Sequence, residues 1–331
     1  MAYEAYLIDT AERSFVSLFP ASDLDKSGTF TQTMNTGNWN AGYTADFDDR
    51  FFLGFSVLYQ HSSYSADILY REKIRNVYPE GGLTNPNYVF FQKFRGVDFS
   101  INKNLTQTSR GVGANIGMLF KASESLRLSA SVQLPTLTWV TEKYIPKVNY
   151  NFNGLNYFGE VLGSGEVEWF ENEFRYKLRL PARYRLGVTW VAGKSGMLEA
   201  ALELTNPGRS RLYDGDNYNF TNDNPQIQDN FGTQVNFRTG GELRYGDFRF
   251  RGGLAYIQTA LKPGADLYLN VPRDQVFVTA GLGARFDLWY WDAALVSGTY
   301  RMKNNFVSGY DKDVETRMNQ LQLHLGLGFY L

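Results

Sequence analysis

From Phe51 to its end, this 331-residue chain keeps returning to a strict alternation of apolar with small or polar residues, and no other feature limits the fold so tightly. A period of two marks a strand with one face shielded from water and the other not. "FFLGFSVLYQ" places Phe51, Leu53, Phe55, Val57 and Tyr59 on one side, and "GVGANIGMLF" does the same with Val112, Ala114, Ile116, Met118 and Phe120. "LRLSASVQL" sets its leucines, Ala130 and Val132 against Arg127, Ser129, Ser131 and Gln133. "FRFRGGLAY" sets Phe248, Phe250, Leu254 and Tyr256 against Arg249, Arg251 and Gly253. The last residues, "LQLHLGLGFYL", set Leu321, Leu323, Leu325, Leu327, Phe329 and Leu331 against Gln322, His324, Gly326 and Gly328, and end on the aromatic pair Phe329 and Tyr330.

Counting these segments gives about eleven strands, roughly 29–46, 51–71, 96–121, 126–149, 167–192, 197–211, 233–245, 247–262, 274–287, 290–304 and 317–331. Each reaches the roughly 9–11 tilted residues that cross an outer membrane. Their connections alternate between short and long. "FDDR", "KASES", "AGKSG", "YGD" and "DLWYW" are short; between them lie long segments such as "RNVYPEGGLTNPNY", "NYNFNGLNYFGEVLGSGE", "YDGDNYNFTNDNPQIQDNFG", "KPGADLYLNVPRD" and "NNFVSGYDKDVE". A meander with tight turns at one end and long loops at the other is the pattern of a transmembrane β-barrel, its short turns periplasmic and its loops extracellular. A soluble all-β sandwich also alternates, but its apolar faces meet in one core and its long loops need not gather at one end.

Composition narrows the function. Lys+Arg at 33 nearly balances Asp+Glu at 34, which argues against a nucleic-acid partner. The mean hydropathy is −0.35 and no apolar run approaches the length of a membrane-spanning helix, so a helical membrane protein is excluded. With no cysteine there is neither a disulfide framework nor a thiolate metal site. The start, "MAYEAYLIDTAERS", lacks the basic, apolar and small-residue regions of a secretory signal, so either the protein stays inside the cell or the chain is not the whole precursor. His61 and His324 stand apart from any metal-spaced acids, and "GVGANIG" is a strand rather than a phosphate loop, so no enzyme, cofactor or metal site is expected.

The segment "EFRYKLRLPARYRLG" is the sharpest binding candidate. With Leu178, Leu180, Tyr184 and Leu186 toward lipid, Arg175, Lys177, Arg179, Arg183 and Arg185 form a ladder of cations on the lumen wall. A cation on the lipid face costs about 2–4 kcal/mol near the midplane, which fixes this phase. Folding about "AGKSG" sets Arg185 opposite Glu203 and Thr189 opposite Glu199, with Arg209 and Arg211 higher up. Either these arginines pair with Glu199, Glu203, Glu242 and Asp287 to stiffen a polar interior, or Arg179, Arg183 and Arg209 attract a carboxylate, which a guanidinium binds as a fork. Arg127, Arg249, Arg251 and Arg285 are second-rank candidates. Phe52, Leu58, Leu119 and Phe277 are apolar residues on the inward phase, unlike the charged lining of a general porin. After Pro135 the phase of "TLTW" is ambiguous: a bulge returns Leu137 and Trp139 to lipid, or Trp139 turns inward and lines the ligand path.

Four stretches, "GVGANIGMLFKASESLRLSASVQLPTLTW", "LPARYRLGVTWVAGKSGMLEAALELTN", "RTGGELRYGDFRFRGGLAYIQTALKPG" and "VFVTAGLGARFDLWYWDAALV", resemble successive hairpins of the FadL-like long-chain fatty acid outer-membrane transporters, most of all those of Bacteroidetes-type bacteria. The resemblance runs from about Thr29 onward. It implies a fourteen-stranded barrel with an N-terminal plug carrying an Asn-Pro-Ala segment. That segment, a leader and the first three strands have no counterpart here, so the resemblance implies an N-terminally truncated, all-β, antiparallel transmembrane barrel with eleven strands present. Residues 1–28 are then an extracellular loop segment and 29–331 the barrel meander. The implied function is passive uptake of hydrophobic compounds such as long-chain fatty acids across the outer membrane of a Gram-negative bacterium, the expected partners being membrane lipid and a hydrophobic small molecule carrying a carboxylate. The rival readings are a structural or secretion-associated barrel that binds partner proteins through its loops and, third, a general porin.

Overall fold

The structure, a computed structural model, describes residues 8–11, 14–17, 22–78, 82–84, 86–157, 159–265, 271–304 and 314–329. β1 (Ile8–Ala11) and β2 (Ser14–Ser17) pair with each other. One large antiparallel sheet holds β3 (Ser22–Phe47), β4 (Phe51–Val77), β5 (Asp98–Lys121), β6 (Leu126–Gln133), β7 (Leu137–Tyr157), β8 (Glu160–Glu168), β9 (Asn172–Arg179), β10 (Arg183–Val191), β11 (Gly196–Thr205), β12 (Arg211–Tyr213), β13 (Gln234–Tyr245), β14 (Phe248–Ile257), β15 (Gln275–Arg285), β16 (Trp289–Asn304) and β17 (Val314–Phe329). Two short helices, α1 (Tyr88–Gln92) and α2 (Asp223–Asn230), lie in the connections. No helix among the described residues is long and apolar enough to cross a membrane.

All eleven strands expected from the alternation are present, joined by the expected short turns. At the β3–β4 turn Asp48 and Asp49 have φ of 54° and 53°, the left-handed pair that suits the twist of a tight hairpin, and the Arg50 amide donates to the Phe47 carbonyl at 3.1 Å. Two expected strands are broken by proline, which has no N–H to give a ladder. Leu134-Pro135-Thr136 separates β6 from β7, and Leu180-Pro181-Ala182 separates β9 from β10. The sheet therefore branches at β5, which pairs with β4 on one side and with both β6 and β7 on the other. The segment after Tyr157, expected as a loop, instead folds back as β8 against β7, with a register shift between Asn151 and Leu155 where Asn153 and Gly154 take positive φ. Tyr330 of the terminal aromatic pair, the 305–313 part of the last long loop and much of the 1–28 segment fall outside the described residues.

The described residues group into two compact units. One draws on Met1–Gly37, His61–Ser109 and Val140–Arg175; the other draws on Asn38–Gln60, Arg110–Trp139 and Tyr176–Leu331. Their polarity is opposite. The first has an ordinary apolar core of Ile74, Val77, Phe94, Val97, Val148, Phe152, Leu155 and Leu162, with Phe94 only 1% exposed. In the second the buried polar residues are Thr136, Thr138, Glu203, Thr205, Asn236 and Glu242, while Phe250 is 50% and Leu325 75% exposed. A sheet that hides glutamates and presents phenylalanine and leucine is built for an apolar solvent on one face, as a membrane-spanning β-sheet is.

Candidate functional site

The second unit has a defined apolar face and a polar face. From β10 to β16 the registers place Leu186, Leu202, Phe237, Tyr256, Val276 and Thr299 in one cross-strand row, and in the row beside it Gly187, Ala201, Arg238, Ala255, Phe277 and Gly298. The second row belongs to the polar face. Gly187 and Gly298 leave room there for neighbours: the Phe277 ring lies against Gly298, and the Ser129 hydroxyl lies where a Cβ on Gly187 would sit.

Two ionic clusters are built on this face. In the first, Arg185 Nε donates to Glu203 Oε2 at 2.6 Å and Asn236 Nδ2 donates to Glu203 Oε1 at 3.1 Å. The strand register sets Arg185 opposite Glu203 and Thr189 opposite Glu199, as the turn at residues 192–195 requires. The second cluster centres on Glu242. Arg244 Nε and Arg251 Nε each reach it at 2.8 Å, Arg249 stands 4.0 Å away, and Arg251 also holds Asp292. Both glutamates are 7% exposed. A carboxylate that deep is tolerable only with its lone pairs occupied, and these clusters occupy them.

The other expected site residues are scattered. Arg175 donates to Glu173, in the first unit. Lys177 Nζ donates to Asp214 at 2.7 Å. Arg179, Arg183 and Arg127 are exposed and make no ion pair or side-chain hydrogen bond among the described residues. Arg209 lies past the end of β11, in the 3₁₀ turn Pro207–Arg209, and not on a strand. Arg249 also caps the β13–β14 turn, donating to the carbonyls of Gly246 and Phe248. Arg285 stacks over Tyr290, and Lys121 over Phe52 at 4.8 Å. Phe52, Leu58, Leu119 and Phe277 are part-buried, and of these Phe52 and Leu119 line one cavity.

Three expectations need correction. Trp139 does not line the interior: it is 44% exposed while its neighbours Thr138 and Val140 are buried. Thr136 and Thr138 lie against Gly113 and Gly111 on the polar face, so the break at Pro135 has absorbed one residue and returned Trp139 to the apolar face. The acid that joins the arginines near the short turns is Asp292, not Asp287, because Asp292 shares a register row with Gly283, whose missing side chain leaves space for the carboxylate. Glu199 holds no arginine among the described residues. Of the histidines, the His61 ring fills the space above Gly37, and the exposed His324 has its Nε2 3.2 Å from Gln322 Oε1.

Two cavities open along the polar face. One, of about 660 Å³, is lined by Phe52, Gly54, Asn115, Leu119, Arg185 and Gly187 among others. A second, of about 390 Å³, is lined by Met197, Arg238, Gly240, Gly253, Ala255 and Thr279 among others, and Glu199 and Ala201 border both. Arg238, Asn236 and Asp292 escaped the sequence reading. Counting register across "GGELRYGDFRF" and "ARFDLWYWD" is the signal that finds them.

An all-β antiparallel meander with an apolar outer face and an ionic opposite face is the fold of an outer-membrane β-barrel. No protein-family model matches the chain, and no curated protein does. Among solved structures it is similar to a Pseudomonas aeruginosa FadL homologue, at 14% identity over 87% of this chain and 76% of that one with a TM-score of 0.47. It is similar also to the Pseudomonas putida toluene transporter TodX, at 12% identity over 93% and 89% with a TM-score of 0.40. The Ralstonia pickettii toluene transporter TbuX gives 11% identity over 91% and 78%, with a TM-score of 0.44. Likeness at these values carries no functional weight.

Proposed function

We propose that this chain is a FadL-like outer-membrane barrel of a Gram-negative bacterium, and that it admits hydrophobic compounds such as long-chain fatty acids by passive diffusion. The observation that carries the reading is the reversed polarity of the second unit, together with cavities on its polar face whose walls mix apolar groups with arginines. The apolar face meets lipid. The cavities offer an alkyl chain Phe52, Leu119, Met197 and Ala255, and cations stand close by for a carboxylate head group. Nothing in such a site drives chemistry, so transport follows the ligand gradient. A structural barrel that presents its loops to partner proteins is the second reading, and the apolar core of the first unit favours it, since that core lets the unit fold without lipid.

Whole-cell uptake separates the two. In a Gram-negative host lacking its own long-chain fatty acid transporter, outer-membrane expression of this protein should raise the initial rate of radiolabelled oleate uptake well above the empty-vector rate. Equal rates with the protein correctly assembled would leave the structural reading standing.

A further inference from the structure

The smaller cavity holds two opposite charges that are not spent on each other. The β11–β13 register sets Glu199 opposite Gly240 and Ala201 opposite Arg238, so Glu199 and Arg238 are diagonal neighbours on one face, roughly 7–8 Å apart at the backbone. Both are exposed and both line the cavity. Neither side chain makes a hydrogen bond or ion pair among the described residues. Glu203, the acid whose charge Arg238 feels, already has its two oxygens engaged by Arg185 and Asn236. From β11 to β16 every other acid of this face, Glu203, Glu242 and Asp292, holds an arginine. Small neighbours flank the pair in the register rows: Arg238 lies between Ala201 and Ala255 and Glu199 between Thr189 and Gly240, while Glu203, the other β11 acid diagonal to Arg238, is held by Arg185 and Asn236.

A ligand with a carboxylate alone would satisfy Arg238 and leave Glu199, the same sign as the ligand, unanswered on the neighbouring strand. A cationic ligand meets the converse problem. A head group carrying both signs satisfies both side chains at once, with its alkyl chain against Met197, Ala201 and Ala255. On the uptake reading above, we propose that this cavity is a head-group site for amphiphiles that combine a carboxylate with an ammonium or other N–H donor. Arg238 takes the carboxylate in its guanidinium fork, and Glu199 accepts from the donor.

Calorimetric titration of the full chain, folded in a neutral detergent, tests this with dodecanol, dodecanoate and N-dodecylglycine. N-dodecylglycine should bind on the order of tenfold more tightly than dodecanoate, a difference of one charge-assisted contact. Glu199→Gln should erase that advantage while leaving dodecanoate binding at least as tight, and Arg238→Gln should weaken both acids but not dodecanol. Equal affinity of the two acids for the wild-type chain, or an advantage that survives Glu199→Gln, overturns the inference and leaves the uptake reading intact. Failure of all three probes to bind overturns the uptake reading and the inference with it. Heat-modifiable migration on gels verifies that each variant is folded.

Discussion

Arg185 Nε lies 2.6 Å from Glu203 Oε2 across the β10–β11 register, and Asn236 on the next strand takes the other carboxylate oxygen. A glutamate that is 7% exposed is thus held by one cation and one amide, each from a different strand.

Removing the cation should cost more than removing the pair. Arg185→Leu leaves a buried carboxylate with an amide as its one remaining partner, and a buried polar group left wanting costs about 1–3 kcal/mol. The double replacement Arg185→Leu with Glu203→Leu should recover most of that loss. Urea unfolding in lipid vesicles, followed by tryptophan fluorescence, reads both; a double variant as unstable as the single one would contradict the account.

Near the short turns, Gly283 and Asp292 should behave as one unit. A Cβ at Gly283 meets the Asp292 carboxylate, which is the group that Arg251 holds. Gly283→Ala should therefore displace Asp292 and lower stability about as much as Asp292→Asn, on the order of 1 kcal/mol, and the two changes together should be less than additive. Additive losses in a double-mutant cycle would show that the carboxylate does not depend on that space.

Much of this architecture is legible in the sequence, and the misses have particular causes. The eleven strands are readable because lipid-facing residues such as Leu186, Leu202 and Leu282 are large wherever the partner phase holds Gly, Ser or Arg. β8 escapes because "EVLGSGEVE" has no apolar alternation: Leu162, which it buries in the first unit's core, and Val167, which packs against that core, stand five residues apart with small and acidic residues between them. Trp139 has two self-consistent phases in the sequence. Only the contacts of Thr136 and Thr138 with Gly113 and Gly111 decide between them. Which arginines are spent and which are spare depends on register between neighbouring strands, so Arg238 was invisible while Arg185 and Glu203 were not.

Trp139 on the apolar face should be reachable by lipid. In bilayers of brominated phosphatidylcholine, Trp139→Phe should lose a measurable part of the bromine-quenched tryptophan emission. Quenching unchanged by that replacement, with the protein folded, would put the side chain back in the interior.

The first unit carries a pH dependence of its own. Hydrogen bonds from Arg175, then from Lys143, hold the Glu173 carboxyl below the usual carboxylate range. A lowered folded value means stabilisation that is fully present above the unfolded pKa and lost as pH falls through the folded one, so these contacts should persist at pH 6 and weaken below about pH 4. Amide hydrogen exchange in β7 and β9 should accelerate over that acid range in the wild-type chain, with the change muted in Glu173→Gln. Acceleration of equal size in both would contradict the assignment to Glu173.

Passage along the polar face is the central claim, and Ala201 is where it is most exposed to test. Ala201 borders both cavities, whereas its neighbour Ala200 points to the other face, opposite Val188 and Thr239. In the whole-cell oleate assay, Ala201→Trp should cut the initial uptake rate at least severalfold while Ala200→Trp leaves it at the wild-type level, both variants showing wild-type heat-modifiable migration. Wild-type uptake through the Ala201→Trp protein would contradict the claim that the ligand travels this wall.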